Sequence, residues 1–381
     1  MAAWALGPQQ YGQLAMMAFV GKMMLVGNFG SVSGYIHRYY DQHQNAVDTR
    51  GYLGAYLVHL ILVALLAYWV STFAGKIYSL GVLFFALLIP YFIIEPVLRV
   101  RRHFYVSLLP DIVISLAICA SLVIARVFKG ELRADSLIFL YFVLTLIFLS
   151  YLPYLWWICR QWRTLRVDER CRSPIYYLSL VRTGFPMYLG TVGFLLLQFV
   201  DRFFLEQFHS PEALGTYMLA YQLASGATLL LTAQNFVAVV DFGELRRDNR
   251  SLTTALSRRL KSALIVGALS FLILLGISVF LETHFLESYS GLARNAAALG
   301  FGLCLFQIAG SVTPIAFYLR RQTVLTLGMF CLVVLSILHN LFVLQLDLFP
   351  LWISAFTGLW LSTYGVMGIL FVTRLAKRVT D

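Results

Sequence analysis

The chain has 381 residues, 60% hydrophobic and only 12% charged, with a net charge of +11. A soluble domain runs near 45–50% apolar and about 25% charged, so this composition excludes an ordinary soluble fold and describes a polytopic membrane protein. The basic excess could in principle meet nucleic acid, and where it lies along the chain decides that question.

Apolar runs of roughly 20 residues, enough to cross about 30 Å of hydrocarbon as a helix, recur almost without interruption. Eleven are expected, near 11 to 35, 51 to 74, 77 to 98, 105 to 127, 136 to 158, 183 to 206, 214 to 240, 262 to 283, 295 to 318, 323 to 344 and 350 to 372. They lack the short dyad alternation of a membrane β-barrel, and a lipid-exposed backbone must satisfy its own hydrogen bonds, so the fold class is all-α. The five cysteines (119, 159, 171, 304 and 331) form no CxxC pair, and the seven histidines show no metal-ligand spacing. Neither a disulfide framework nor a metal site is expected, and no cofactor is implied. The first basic residue is Lys22, so no cleavable signal is read at the start.

The charge alternates from loop to loop. Of the 29 Lys and Arg, 22 fall in alternate connections that also hold eight acids, leaving that face near +14; six basic residues and eight acids leave the other at −2. This is the positive-inside pattern, which makes the richer face cytoplasmic, places the C-terminus in the cytoplasm and removes nucleic acid as a partner. No loop exceeds about 25 residues, too short for a folded extramembrane domain. The longest, with Arg160, Arg163, Arg166, Arg170, Arg172 and Arg182, divides the chain into an N-terminal bundle of five helices over 1–160, a linker over 161–182 and a six-helix bundle over 183–381.

The halves share a register. Pro8-Gln9-Gln10-Tyr11-Gly12 and Pro211-Glu212-Ala213-Leu214-Gly215 open equivalent runs at an offset of 203, and 26 residues past each glycine stand Arg38 and Asp241. Both runs point the same way, so the repeat is parallel. Shifting the run at 183 to 206 back by 203 places its partner before Met1. The expectation is therefore a 12-helix parent whose first helix is missing here, the alternative being a genuine 11-helix protein.

At these residues the chain resembles a known family. Leu6-Gly7-Pro8-Gln9-Gln10-Tyr11-Gly12 with Arg38-Tyr39-Tyr40, then Gly184-Phe185-Pro186, Asp201-Arg202-Phe203-Phe204-Leu205 and Gly215-Thr216-Tyr217 with Ala220-Tyr221-Gln222-Leu223-Ala224, resemble motifs of bacterial polysaccharide exporters of the O-antigen flippase type. These belong to the multidrug/oligosaccharidyl-lipid/polysaccharide (MOP) exporter superfamily. The resemblance implies two six-helix bundles related by a pseudo-twofold. It also implies export of lipid-linked oligosaccharide, carried on undecaprenyl diphosphate, across the bacterial inner membrane by alternating access. Expected partners are that substrate, membrane lipid and other polysaccharide-assembly proteins. The departure is the absent first helix, which puts the transport activity of the chain in doubt.

A flippase changes no covalent bond, so no catalytic residue is expected; it needs a polar, cationic passage for a diphosphate headgroup. Lys22, ten residues past Gly12 and so about 15 Å along its helix, is the first candidate for substrate binding, with a structural pairing to Asp111 or Glu95 as the bland reading. Asp111 and Arg202 are the other substrate-binding candidates. Asp201 and Arg202, adjacent and about one turn from the end of their run, read more readily as an interfacial anchor. Arg38 and Asp241 form a candidate gate, and Glu95 and Arg99 an intrahelical pair. The alternative functions are a membrane-embedded glycan polymerase or glycosyltransferase, disfavoured by short loops; a drug/cation antiporter of the same superfamily, which would need acids deep in its helices, with only Asp111 and Glu95 placed to serve; and a transport-inactive truncated homologue.

Overall fold

The computed structural model describes residues 2–39, 49–100, 156, 160, 174–247, 252–319, 321–345 and 351–380. Among them all regular structure is helical. The elements are α1 (Ala2–Met23), a 3-10 turn (Met24–Asn28), α2 (Ser31–Tyr39), α3 (Thr49–Ala74), α4 (Lys76–Val100), α5 (Pro174–Phe208), α6 (Pro211–Ala227), α7 (Leu229–Arg247), α8 (Leu252–His284), α9 (Leu292–Gly310), α10 (Pro314–Tyr318), α11 (Gln322–Gln345) and α12 (Leu351–Thr380). Six helical segments within the described residues are long and apolar enough to span a membrane, and a seventh is the bent pair Gly7–Asn28 with Ser31–Tyr39. The runs expected at 105 to 127 and 136 to 158 lie outside the described residues.

Three of the runs are not single helices, that expected over 295 to 318 being divided between α9 and α10. The first bends by 56° between Asn28 and Ser31, where Phe29 (φ 47°) and Gly30 (φ 89°) take left-handed backbone and the Asn28 side chain accepts the Gly30 N–H at 2.7 Å. The run expected over 214 to 240 breaks at Thr228, between α6 and α7. Shifted by 203, Met24 corresponds to Ala227, so both copies of the repeat leave α-helical geometry at the same register. In the other direction helices outrun their apolar stretches: α5 begins at Pro174 and α8 at Leu252, and α12 continues to Thr380. Arg258, Arg259 and Lys261 on α8 and Arg374, Lys377 and Arg378 on α12 lie on such extensions, where intrahelical hydrogen bonds persist while long cationic side chains reach water.

The chain divides into two compact units, one of Met1–Leu6 with Gln13–Tyr188 and the other of Gly7–Gly12 with Leu189–Asp381. The division falls inside α5. In the first unit α3 packs along α4, and its opposite face exposes Leu62, Leu65, Leu66, Trp69 and Phe73 at helical spacing, the inverted pattern of a helix facing lipid. Tyr35, Tyr52 and Tyr56 are buried and stack in sequence, and α2 meets the start of α5 where Gly30 and Gly184 leave no room for a side chain.

In the second unit α9 is central, touching α6, α8 and α12. α9 and α12 approach backbone to backbone through Gly302 and Gly358, the small-residue packing that substitutes for hydrophobic drive inside a bilayer. The two Pro-x-x-[Tyr/Leu]-Gly motifs also meet in this unit. A Cβ on Gly12 would sit 3.0 Å from the Gly215 nitrogen, a Cβ on Gly215 would strike the Pro8 carbonyl, and the Tyr11 hydroxyl donates to Gln222 Oε1. Gly7 has φ 71° and ψ 169°, an extended turn ahead of Pro8 that restarts the helix at the motif.

Candidate functional site

α5 is an apolar helix of 35 residues, and seven residues before its end, about 10 Å at 1.5 Å per residue, it carries an acid next to a base. Adjacent helical residues point about 100° apart, so the two side chains enter different surroundings. Asp201 is fully buried, and Arg202 is 2% exposed. An isolated carboxylate in such a place costs several kcal/mol, and its retention depends on what surrounds it.

Three other helices supply the surroundings. From α6 the Tyr217 hydroxyl donates to Asp201 Oδ2 at 2.9 Å, and from α12 the Thr357 hydroxyl donates to the same oxygen at 2.5 Å. From α11 the Ser336 hydroxyl and the Asn340 amide nitrogen each donate to Oδ1 at 3.2 Å. Ser336 and Asn340 are four residues apart and share one face of α11. Arg202 turns the other way, its guanidinium 4.4 Å from the ring centre of Tyr221, one turn beyond Tyr217 on α6. The acid and the base thus use successive tyrosines of one helix.

This arrangement can hold a cation. Both carboxylate oxygens and the hydroxyls of Tyr217, Ser336 and Thr357 converge from four helices, and Asn340 turns its amide nitrogen to the same carboxylate while its amide oxygen is buried without a hydrogen-bond partner. Hydroxyls rotate and offer oxygen as readily as hydrogen. An all-oxygen set with one negative charge suits a hard monovalent ion, whereas softer transition metals want nitrogen or sulfur. Among the described residues there is no group of three or more His, Cys, Asp or Glu that could hold a metal.

The other expected residues are placed as follows. Lys22 belongs to α1, but its side chain lies outside the described residues, as does Asp111 entirely. Arg202 is enclosed on Tyr221 in the second unit, buried together with Asp201. Arg38 is exposed on α2. Asp241, its repeat equivalent, is held within its own unit by an ion pair to Arg259, which also donates to the Gln234 carbonyl at 3.3 Å. Glu95 lies beside the buried Tyr52 and Tyr56, and the Arg99 side chain is outside the described residues. His59 bonds Tyr177 through Nδ1 at 2.6 Å, and His339 stacks on Phe356 with ring centres 3.6 Å apart, so both pack between helices.

Sequence reasoning passed over Asp201 as a centre because its partners lie 16 to 156 residues away. The available signal was a set of hydroxyls and an amide at helical spacing inside apolar runs, Tyr217 with Tyr221 and Ser336 with Asn340.

Solved structures define the fold of this multi-pass helical bundle. A multidrug resistance MATE family transporter of the MOP superfamily in an inward-facing conformation matches with a TM-score of 0.64 and 14% identity, over 100% of this chain and 94% of that one. A MATE mutant matches at 0.66 and 13%, over 100% and 91%. A eukaryotic MATE transporter matches at 0.60 and 15%, over 100% and 98%. Residues 1–240 match the family described as polysaccharide biosynthesis protein, and the chain belongs to that family. A comparison with curated protein sequences finds no match. The protein is a multi-pass helical membrane protein of that family, and its fold is that of the MATE transporters.

Proposed function

We infer that the protein exports lipid-linked oligosaccharide across the bacterial inner membrane by alternating access of its two helix bundles, and that a monovalent cation at Asp201 drives the cycle. The carrying observation is the Asp201 site: a fully buried carboxylate met by four side-chain donors from three neighbouring helices. Membership of a polysaccharide biosynthesis family supports the cargo, and the positive-inside charge pattern supports an inner-membrane protein with its C-terminus in the cytoplasm.

The logic is that of linked equilibria. An ion shifts a two-state transporter only as far as it binds one state better than the other. Asp201 joins four helices, so moving any of them changes the number of oxygens around the ion. Lys22 is the proposed contact for the diphosphate headgroup, since a cation placed midway along an apolar run needs water, an acid or a substrate beside it. Undecaprenyl diphosphate is the proposed carrier, and other polysaccharide-assembly proteins the proposed partners.

A second reading is export of drugs, favoured by the likeness to multidrug MATE transporters. Deleting the gene separates the two. Accumulation of lipid-linked repeat units on the cytoplasmic leaflet, reversed by the parent gene and not by an Asp201→Asn gene, supports the first. Unchanged lipid-linked intermediates with a drop in drug tolerance would replace it with the second.

A further inference from the structure

The second unit contains a cavity of about 520 Å3 between the starts of α6 and α12 and the connection into α9. It is graded from mouth to floor. Glu212, Ser290, Arg294 and Trp352 are exposed around the mouth, whereas Tyr217 is 2% and Asn295 9% exposed at the floor. At about 30 Å3 per molecule it has room for more than a dozen waters. Acid and base stand together at the mouth, so the opening carries no strong field of one sign against small ions.

The floor leads to Asp201 along two lines. Tyr217 lines the cavity and its hydroxyl donates to Asp201 Oδ2 at 2.9 Å, so this one residue touches both the cavity and the carboxylate. In parallel, Asn295 accepts from Ser354 at 2.5 Å, and Thr357, one turn further along α12, donates to the same Oδ2. Both ends of α5 are far apart, and Asp201 is only about 10 Å from the end where this cavity opens.

We propose that this cavity is the aqueous access port of the Asp201 site and that Tyr217 is its inner gate, a positioning residue whose hydroxyl covers the carboxylate until an ion arrives. The proposal rests on the reading of Asp201 as the coupling-ion site. An ion entering here exchanges water for Asn295 and Tyr217 oxygens before meeting Asp201, so it is never bare in the hydrocarbon layer. A port controls rates and not affinity: obstructing it slows arrival and departure alike.

The test uses the full chain in lipid nanodiscs, radiolabelled Na+ as the probe, and a plug that can be removed. Ser290→Cys is modified with a bulky methanethiosulfonate, reductant then takes the group off, and the parent treated identically controls for the native cysteines. The expected result is Na+ exchange slowed at least tenfold by the plug and restored by reductant, with equilibrium occupancy unchanged. Tyr217→Phe is expected to speed Na+ uptake and release alike, at least threefold, whereas loss of one ligand oxygen from the ion set would speed release alone. Undiminished exchange in a fully modified Ser290→Cys protein that still binds Na+ overturns the port and leaves the coupling site standing. Parent protein with no Na+ binding, or binding that persists in Asp201→Asn, overturns both.

Discussion

Asparagine and alanine at position 201 separate the fold from the function. Both remove the charge, so the electrostatic consequences of losing it cancel between them and the difference isolates hydrogen bonding. In Asp201→Ala, Thr357 can fall back on the Ile353 carbonyl at 2.9 Å and Asn340 on the Ser336 carbonyl at 2.8 Å, bonds they already make. Tyr217 and Ser336 lose the acceptor they had. Two stranded buried hydroxyls at about 1–3 kcal/mol each make Ala less stable than Asn by about 2–6 kcal/mol. For a unit of this size a kcal/mol moves the melting temperature by about 2–4 °C, so Ala melts at least about 4 °C below Asn. Asn keeps its shape and an acceptor oxygen, and the hydroxyls facing its amide rotate to accept. It therefore folds like the parent, yet an ion loses its carboxylate, and with about 1.5–3 kcal/mol attached to a charged partner its affinity drops at least about tenfold. The assays are scanning-fluorescence melting in detergent, Na+ binding, and surface glycan at equal protein level. Ala and Asn melting together would refute the hydrogen-bond accounting, and an Asn variant that exports like the parent would refute the coupling role.

Thr357→Val keeps the volume and removes one oxygen of the set and one donor to the carboxylate; Na+ affinity is expected to fall severalfold and melting by about 3 °C or more, from about 1.5–3 kcal/mol for a hydrogen bond to a charged group, and an unchanged affinity would take Thr357 out of the site. Gly215→Ala drives a methyl into the Pro8 carbonyl, with Pro8 Cα 3.0 Å away. Backbone has no rotamer to yield, so a loss of about 1–3 kcal/mol is expected, read as a lower melting temperature and faster proteolysis. Arg259→Gln breaks the pair with Asp241, whose side chains are 21% and 36% exposed; the loss is expected to stay within about 1 kcal/mol, and a drop in melting beyond about 4 °C would show that the pair is more than a surface contact. Lys22→Ala is expected to abolish export and Lys22→Arg to keep part of it, measured as surface glycan at matched expression; full export by the alanine variant would end the headgroup role.

The helical class, the alternation of loop charge and the parallel repeat were all legible in the residues, because each follows from local chemistry. About 20 apolar residues must form a helix in lipid, and two copies of Pro-x-x-[Tyr/Leu]-Gly keep their spacing wherever the chain goes. The α11 span was anticipated to within a residue at each end, since polar residues bound it on both sides. The bend at Phe29 and Gly30 and the break at Thr228 were missed, because the turn residues of Gly27-Asn28-Phe29-Gly30-Ser31 and Ser225-Gly226-Ala227-Thr228 are averaged away in a window of about 20 residues.

The site is a different matter. Asp201 and Arg202 look in sequence like a charged dipeptide near the end of a span, and the same two residues at an interface would have read identically. What made Asp201 a centre is the convergence of Tyr217, Ser336, Asn340 and Thr357, brought from separate helices by the packing of the second bundle. Sequence determined which segments cross the membrane, since insertion depends on the composition of each segment alone. Tertiary structure decided which polar side chains share a buried space, since that depends on how helices far apart in the chain rotate and pack, and no local pattern records the rotation.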